Sequence, residues 1–244
     1  MQFACEAMIQ ADGPGEGTIQ SVCARYSLTK RRLEDVAEIL DAEFSRVDEA
    51  LYRPRFNVAP TDQAWIVESG ATRRVVRPAA WSYRTAAGRP LVNMRGERAH
   101  SGSGLPDAGG AKRCAVIADG FYEWPGRGLA PFWFHRADGG LVLLAGLCQK
   151  PPGPDVLARF TILTTEPNHL IAKVHDRMPA ILSIDRLDEW LTAAPLVAAR
   201  LIGPAPEEVL VATPVSKHVN SVKHDDPRCI VAAPHAPPAQ GSLF

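Results

Sequence analysis

Residues 114–124 read CAVIADGFYEW, an apolar run that passes directly into polar and aromatic side chains. A short run of small and branched apolar residues that ends near a glycine is typical of a buried strand. Asp119 and Glu123 are not needed to pack such a strand, since carboxyl groups are mostly exposed unless they are paired. The stretch therefore predicts a β-rich core with polar side chains at the end of one of its strands.

Six other strand-like runs, separated by glycine and proline, surround this stretch along the chain. They are Trp65–Glu68, Arg74–Arg77, Pro131–His135, Leu141–Leu147, Phe160–Thr164 and Val209–Ala212. Apolar residues at helical spacing over Leu33–Leu40 predict a helix with Ser27 or Thr29 as its N-cap. Two short helices are expected near Pro167 and over Asp185–Leu191. This mixture predicts an α+β domain.

The chain length allows one large domain or two small ones, since it has 244 residues and domains hold roughly 100–200. We expect a single domain over residues 23–232, because no linker interrupts them. Residues 1–22 lack a sustained apolar period and are interpreted as an N-terminal extension. Residues 233–244 contain prolines and no core-forming run, which is typical of a flexible tail.

Composition excludes several functional classes. The 27 basic and 27 acidic residues give zero net charge, which argues against a partner held by bulk electrostatics alone. No stretch approaches the roughly 18 consecutive apolar residues of a membrane helix, so we expect a cytoplasmic protein without a membrane partner. The five cysteines are odd in number and form no C-x-x-C pair, so neither disulfides nor a zinc site is expected. No cofactor is predicted, and we expect a monomer.

Five polar clusters lie within or beside the predicted strands. They are VCARYS (22–27), RFNVAPT (55–61), NMRGE (93–97), DGFYEW (119–124) and VHDRMP (174–179). Each alone has an ordinary structural interpretation, such as a packed cysteine, a charge at a strand end or a solvated helix terminus. Together they hold Cys, His, Glu and Asn, the residue types that a nucleophile with acid–base support requires.

In this order the clusters resemble the SRAP family, the SOS-response-associated peptidases, whose members shield abasic sites in single-stranded DNA by covalent crosslinking. The resemblance covers Cys23 to about Val231, with C-x-R-Y, N-V-A-P, G-F-Y-E-W and H-D-R-M-P all intact. It implies a single SRAP-like domain whose β-rich core is barrel-like. It also implies a DNA-damage response protein of the nucleoid that binds single-stranded DNA with abasic sites and has lyase-like and peptidase activity.

The family's catalytic cysteine is the first residue of the mature protein, whereas Cys23 follows 22 residues in this chain. The family's product is a thiazolidine, a ring that takes both the thiol and the free α-amine of one cysteine. Two interpretations give Cys23 a free amine. In the first, translation starts at Val22, whose codon is read as methionine. In the second, residues 1–22 are a propeptide that is removed, and the peptidase name suggests that the protein removes it itself.

The resemblance and the chemistry of the side chains together assign the catalytic roles. Glu123 is the general acid–base that moves protons between amine, carbinolamine and ring. His175 protonates the sugar ring oxygen and so opens the sugar to its aldehyde. Asn93 holds the cysteine amine and a sugar hydroxyl through its donor and acceptor ends.

The DNA-binding residues predicted in the same way are arginines and aromatics. Arg25, Arg95 and Arg177 are expected to contact phosphates, with structural ion pairing to Glu97 or Asp176 as the alternative. The family's tryptophan-containing loop is missing after Trp81, so Tyr83 and Trp124 are the candidates for stacking on bases.

Two other functions stay open at this point. A cysteine peptidase or amidohydrolase would use the Cys23 thiolate as nucleophile and His175 as base. A DNA-damage binding module would bind the phosphates of DNA through these clusters without catalysing a reaction. An abasic-site oligonucleotide separates the three functions, because only the first leaves a species that survives denaturation.

The end of the tail, Gln240-Gly241-Ser242-Leu243-Phe244, resembles the peptide by which bacterial repair proteins bind the DNA sliding clamp. Leu243 and Phe244 would fill an apolar pocket while Gln240 hydrogen-bonds at its edge. The alternative is an unstructured tail. Titration of the tail peptide with purified clamp distinguishes the two.

Overall fold

The computed structural model describes residues 23–99, 111–126, 128–150, 153 and 156–233. The predicted N-terminal extension and the tail residues Gln240, Leu243 and Phe244 lie outside this part of the chain. No helix within these residues is long and apolar enough to cross a membrane.

The described residues form sixteen strands and five α-helices. The strands are β1 (Arg25–Leu28), β2 (Ala42–Glu43), β3 (Arg55–Val58), β4 (Gln63–Ser69), β5 (Arg74–Ala80), β6 (Tyr83–Arg84), β7 (Pro90–Leu91), β8 (Asn93–Arg95), β9 (Lys112–Ala118), β10 (Gly120–Glu123), β11 (Phe132–His135), β12 (Val142–Gln149), β13 (Ala158–Thr165), β14 (Met178–Pro179), β15 (Ile181–Leu182) and β16 (Val211–Pro214). The α-helices are α1 (Leu33–Ile39), α2 (Arg46–Leu51), α3 (His169–Ala172), α4 (Leu187–Thr192) and α5 (Pro195–Ala199). Short 3-10 helices cover Gly96–Ala99, Ile184–Arg186, Glu207–Val209, Lys217–Asn220 and Pro227–Cys229.

The larger sheet closes on itself. Its strands follow the order β14-β13-β12-β9-β4-β5-β2, and β13 also pairs in parallel with β5. Residues 114–118 of β9 are buried throughout, because apolar clusters cover both faces of the strand. The predicted β-rich core of a single α+β domain is confirmed, and its barrel-like part is this ring-like sheet.

The smaller sheet, in the order β16-β11-β10-β1-β3, is antiparallel throughout. The chain passes from the larger sheet to the smaller one at Asp119, between β9 and β10. The Asp119 carboxylate accepts hydrogen bonds from Ser27 Oγ at 2.7 Å and from the Thr29 backbone N–H at 2.5 Å. Gly120 must lack a side chain, since a Cβ there would lie 2.2 Å from the Trp133 indole nitrogen. These contacts fix β1 against β10.

The helix predicted over Leu33–Leu40 is present as α1, but its predicted N-cap is wrong. Ser27 belongs to β1, and Arg32 occupies the cap position of α1. Ser27 and Thr29 cannot cap the helix because both hydroxyls donate to Asp119. The local sequence predicted a helix cap at these residues, but their side chains bind Asp119, which lies 90 or more residues away in the chain.

Candidate active site

The nitrogen of Cys23 lies against the carboxyl group of Glu123. Strand pairing brings them together, because Arg25 of β1 is opposite Tyr122 of β10 in an antiparallel register. Cys23 lies two residues before Arg25, and Glu123 directly follows Tyr122, so both lie at the same end of the strand pair. The Cys23 N–H donates to Glu123 Oε1 at 2.6 Å. Both residues are buried, Cys23 completely and Glu123 to 2% exposure. The geometry joins a nitrogen, a thiol and a carboxyl group in one water-excluded place.

Burial controls the protonation of this pair. It raises the pKa of Glu123 to about 8, against a smaller lowering by the Cys23 N–H and a further rise from the charge of Asp176. Burial also raises the pKa of the Cys23 thiol well above its usual value, and the nearby Glu123 charge adds to the rise. The thiol therefore stays protonated near neutral pH, whereas Glu123 exchanges its proton there.

The backbone at Cys23 is strained. Its φ is 48°, in the left-handed region, which costs a non-glycine residue roughly 1–2 kcal/mol. The site therefore holds its central residue in a conformation that the chain does not prefer.

His175 follows α3 and has an 8% exposed side chain. Its Nδ1 lies 3.1 Å from the Arg177 backbone N–H and 2.9 Å from Asp176 Oδ1. An unprotonated Nδ1 accepts from the amide, and a protonated Nδ1 donates to the carboxylate. The ring has a partner in both protonation states, which suits a group that takes up and releases a proton.

Two other predicted clusters meet at Thr164 of β13. Arg95 of β8 is opposite Thr164 on one side, and Pro179 of β14 is opposite it on the other. The Arg177 guanidinium donates to Glu97 Oε2 and to the Thr164 carbonyl, each at 2.8 Å. The structural alternative weighed for Arg177, an ion pair with Glu97, is thus present.

Arg95 differs from Arg177 in its surroundings. Arg95 is exposed and forms no ion pair with any residue in the described part of the chain, whereas the Arg177 side chain is only 14% exposed. Asn93 lies two residues before Arg95 on the same strand and is partly buried. The Arg177 hydrogen bond and, to a lesser extent, the positive charge of Arg95 lower the pKa of Glu97, but within the described residues no ion pair would have to break for Arg95 to meet an external anion.

Arg25 binds the C-terminal part of the domain. We call residues Val215–Ala232, which begin after β16, the strap. Arg25 Nη1 donates to Asn57 Oδ1 at 3.0 Å and to the Val219 carbonyl at 2.9 Å. In this structure the partly exposed Arg25 joins β1 to the strap.

The two aromatic candidates occupy different environments. Tyr83 is 3% exposed and packs in the hydrophobic core, so its ring offers no face to a nucleobase. Trp124 directly follows Glu123, is partly exposed, and donates from its indole N–H to Asn220 Oδ1 at 2.9 Å. Trp124 therefore lies beside Glu123, whereas the Tyr83 ring is packed in the core in this structure.

The sequence analysis assigned no role to Asn57, although it lies in the RFNVAPT cluster, or to Asn220. Asn57 is fully buried, and its amide Nδ2 donates to three strap carbonyls, including Val219 and Ser221 at 3.1 and 3.0 Å. Asparagine is a poor strand former, so an asparagine between Phe56 and Val58 was a usable signal for a structural polar contact.

Among the residues described, no three His, Cys, Asp or Glu side chains are arranged to hold a metal ion.

The chain belongs to the SRAP family. The sequence model described as SOS response associated peptidase (SRAP) matches residues 22–222. The resemblance inferred from the five clusters is confirmed.

Several named proteins are similar over most of the chain. The abasic site processing protein YoqW of Bacillus subtilis is 30% identical in an alignment 225 residues long, which covers 86% of this chain and 99% of the relative. The abasic site processing protein YedK of Escherichia coli is 29% identical, over 83% of this chain and 96% of that protein. A Bacteroides thetaiotaomicron protein of solved structure has the same fold, with a TM-score of 0.73 at 21% identity, covering 86% of this chain and all of the other.

Replacing Glu123 with Gln tests the raised pKa of its carboxyl group. Folding holds the proton on Glu123 up to about pH 8, while the unfolded chain releases it near its ordinary pKa of about 4.3. The wild type therefore loses stability as pH rises through this window, and Glu123→Gln does not. We expect the stability of the variant relative to wild type to rise by a few kcal/mol from pH 5.5 to 8 in urea unfolding.

Glu97→Gln is the matched control, because pairing with Arg177 lowers the pKa of Glu97. Glu97 is ionised in both the folded and the unfolded state from pH 5.5 to 8, so the stability difference of this variant should stay constant there. A constant difference for Glu123→Gln as well would contradict the raised pKa.

Proposed function

We propose that the protein processes abasic sites in single-stranded DNA by forming a covalent thiazolidine crosslink through an N-terminal Cys23. The observation that carries this proposal is the 2.6 Å contact between the Cys23 nitrogen and Glu123 Oε1. It sets a buried acid–base group directly on the atom that would attack the aldehyde. The names of the relatives YoqW and YedK, both abasic site processing proteins, support the same reaction class.

The reaction has three steps. The ring-opened abasic sugar exposes an aldehyde, and a neutral amine adds to it to give a carbinolamine. Loss of water gives a Schiff base. The Cys23 thiol then adds across the C=N bond, so that sulfur bonds to carbon and the thiol proton passes to nitrogen. Because amine and thiol belong to one residue, ring closure is intramolecular and has a high effective concentration.

This chemistry requires a free amine, since an amide nitrogen is not a nucleophile. The active form therefore begins at Cys23, through initiation at Val22 or through removal of residues 1–22. The backbone of Cys23 supports this. Its φ of 48° is defined by the preceding carbonyl carbon, so a chain that begins at Cys23 is free of that strain.

Glu123 is assigned the proton transfers at nitrogen. It takes the proton of the α-ammonium group, and it returns a proton to the carbinolamine hydroxyl so that water can leave. Burial raises the pKa of Glu123, and the adjacent α-ammonium group of the active form lowers it again. In the active form the amine and Glu123 titrate as one coupled pair.

The other residues receive roles that fit their positions. His175, with partners for both protonation states, opens the sugar ring, and Asn93 orients the amine and the sugar. Arg95 binds a phosphate, and Trp124 stacks on a base next to the abasic site. Arg177, held by Glu97, is assigned to shaping this edge of the site.

The peptidase alternative is less well supported by the geometry. It requires a Cys23 thiolate, whereas burial raises the pKa of that thiol well above its usual value. Self-processing that exposes Cys23 stays part of the proposal. Binding of the sliding clamp by Leu243 and Phe244, and association with the nucleoid, stay predictions.

A crosslinking assay tests the proposal. A chain that begins at Cys23 should form a species with a single-stranded abasic-site oligonucleotide that survives heat and detergent. Cys23→Ala should abolish it. Cys23→Ser keeps the amine and should leave only a Schiff base that borohydride traps, because a hydroxyl closes the ring poorly.

The full-length chain with residues 1–22 verified by intact mass is the matched control, since it has no α-amine at Cys23. It should not crosslink unless those residues are lost during the incubation. A stable crosslink formed by a chain that retains them, or by Cys23→Ala, would refute the assignment of the nucleophile.

Arg95 and Arg177 should respond differently to alanine substitution. Arg95→Ala should weaken binding to single-stranded DNA and make the salt dependence shallower by about 0.7 in log–log slope, one lost phosphate contact. Its unfolding free energy should be unchanged, since Arg95 is exposed. Arg177→Ala removes the hydrogen bonds to Glu97 and Thr164 and should lower the urea midpoint. An unchanged salt slope for Arg95→Ala would exclude its phosphate contact.

A further inference from the structure

The strap is anchored to the smaller sheet by buried polar groups. The Asn57 side chain donates to the carbonyls of Val219, Ser221 and His224 at 3.1, 3.0 and 2.7 Å. In return, Asp225 of the strap accepts from the Asn57 backbone N–H at 3.1 Å. Buried, satisfied polar networks of this kind fix one arrangement of the chain.

Asn220 lies at the centre of this anchored segment. Asn57 holds the carbonyls on both sides of it, and Arg25 Nη2 donates to the Asn220 carbonyl at 3.3 Å. The Asn220 side chain is exposed, yet its Oδ1 accepts from the Trp124 indole N–H at 2.9 Å. Its backbone is fixed by the sheet, so its side chain offers a fixed acceptor to Trp124.

Trp124 needs such a partner because the core holds only part of its ring. The ring packs against the cluster of Tyr122, Val215, Val219 and Cys229, with its centroid 6.4 Å from that of Tyr122. The remainder is exposed beside Glu123. The apolar contact fixes one face of the indole, and the Asn220 hydrogen bond fixes its rotation.

We propose that Asn220 is a positioning residue, which holds the Trp124 indole in the orientation that stacks on a base next to the abasic site. The inference rests on the proposed function. Asn220 would contribute to DNA binding only, and proton transfer at Cys23 would remain the role of Glu123. A ring fixed before binding loses less conformational freedom when a base stacks on it, so affinity is gained without a contact between Asn220 and DNA.

A double-mutant cycle tests this role with the full-length chain. The probe is a single-stranded oligonucleotide with a tetrahydrofuran abasic analogue, which cannot open to an aldehyde and so reports binding alone. Asn220→Ala should weaken binding about threefold to tenfold, the range for one lost hydrogen bond. Trp124→Phe, which keeps a ring but has no N–H, should weaken binding at least as much. Adding Asn220→Ala to Trp124→Phe should have no further effect.

Two measurements separate positioning from general loosening of the strap. Ser221→Ala, next to Asn220, removes only a hydroxyl that accepts from the Lys223 N–H and should bind like wild type. In chains that begin at Cys23, Asn220→Ala should crosslink natural abasic-site DNA at the wild-type rate once DNA is saturating, because only binding changes.

Wild-type affinity for Asn220→Ala, or additive losses in the double variant, would overturn the role of Asn220 and leave the proposed function standing. A wild-type chain that begins at Cys23 and binds no single-stranded DNA would refute the proposed function and this role with it. A slower crosslinking rate at saturating DNA would place Asn220 in the chemistry instead.

Discussion

The site depends on the contact between the Cys23 nitrogen and the buried carboxyl group of Glu123. A carboxyl group with 2% exposure is costly unless it is neutral or paired. Here it has one backbone N–H as a close partner and a pKa raised to about 8. The fold tolerates this cost at the position where a proton acceptor close to neutral pH is useful. That coincidence is the strongest physical argument for a reaction at Cys23.

The two sheets contribute differently to this contact. The ring-like sheet supplies most of the apolar core, and its strand β13 carries the segments that hold Arg95 and Arg177. The smaller sheet supplies Glu123 at the end of β10, and Cys23 lies two residues before the neighbouring strand β1. Asp119, where the chain passes between the sheets, binds Ser27 and Thr29, so the register of β1 against β10 is tied to the crossover itself. The strap completes the arrangement through Arg25, Asn57 and Asn220.

Strands with continuous apolar runs could be predicted from sequence, because burial on both faces leaves a local signal. The run Cys114–Ala118 and the run Leu141–Leu147 lie in β9 and β12 as expected. β1 and β3 were missed, since Arg25, Ser27 and Asn57 interrupt their apolar pattern. Those polar residues are explained by partners far along the chain: Asp119 for Ser27, and the strap for Arg25 and Asn57. No local pattern reports such contacts.

In the candidate site, too, the residue types could be predicted from the sequence, whereas the contacts between them could not. Residue types and the family resemblance identified Cys23 and Glu123, but their contact joins positions 100 residues apart and depends on strand register. The environment also distinguishes Arg177 from Arg95, and the phosphate contacts of both stay predictions. Arg177 forms an ion pair with Glu97, and Arg95 forms none within the described residues. The residue type is the same, so the sequence alone did not distinguish them. The Tyr83 ring is packed in the core, an environment that its sequence neighbours do not report.

The most direct test of the account compares a chain that begins at Cys23 with its Glu123→Gln counterpart at pH 7. The measurement is the single-turnover rate constant of crosslinking at saturating abasic-site DNA. Glutamine preserves the shape and an acceptor oxygen but cannot carry a proton to or from the amine. The account predicts a rate at least about a hundredfold slower, with unchanged affinity for the tetrahydrofuran analogue. Equal rate constants for the two chains would contradict the assignment of Glu123 and the central claim with it.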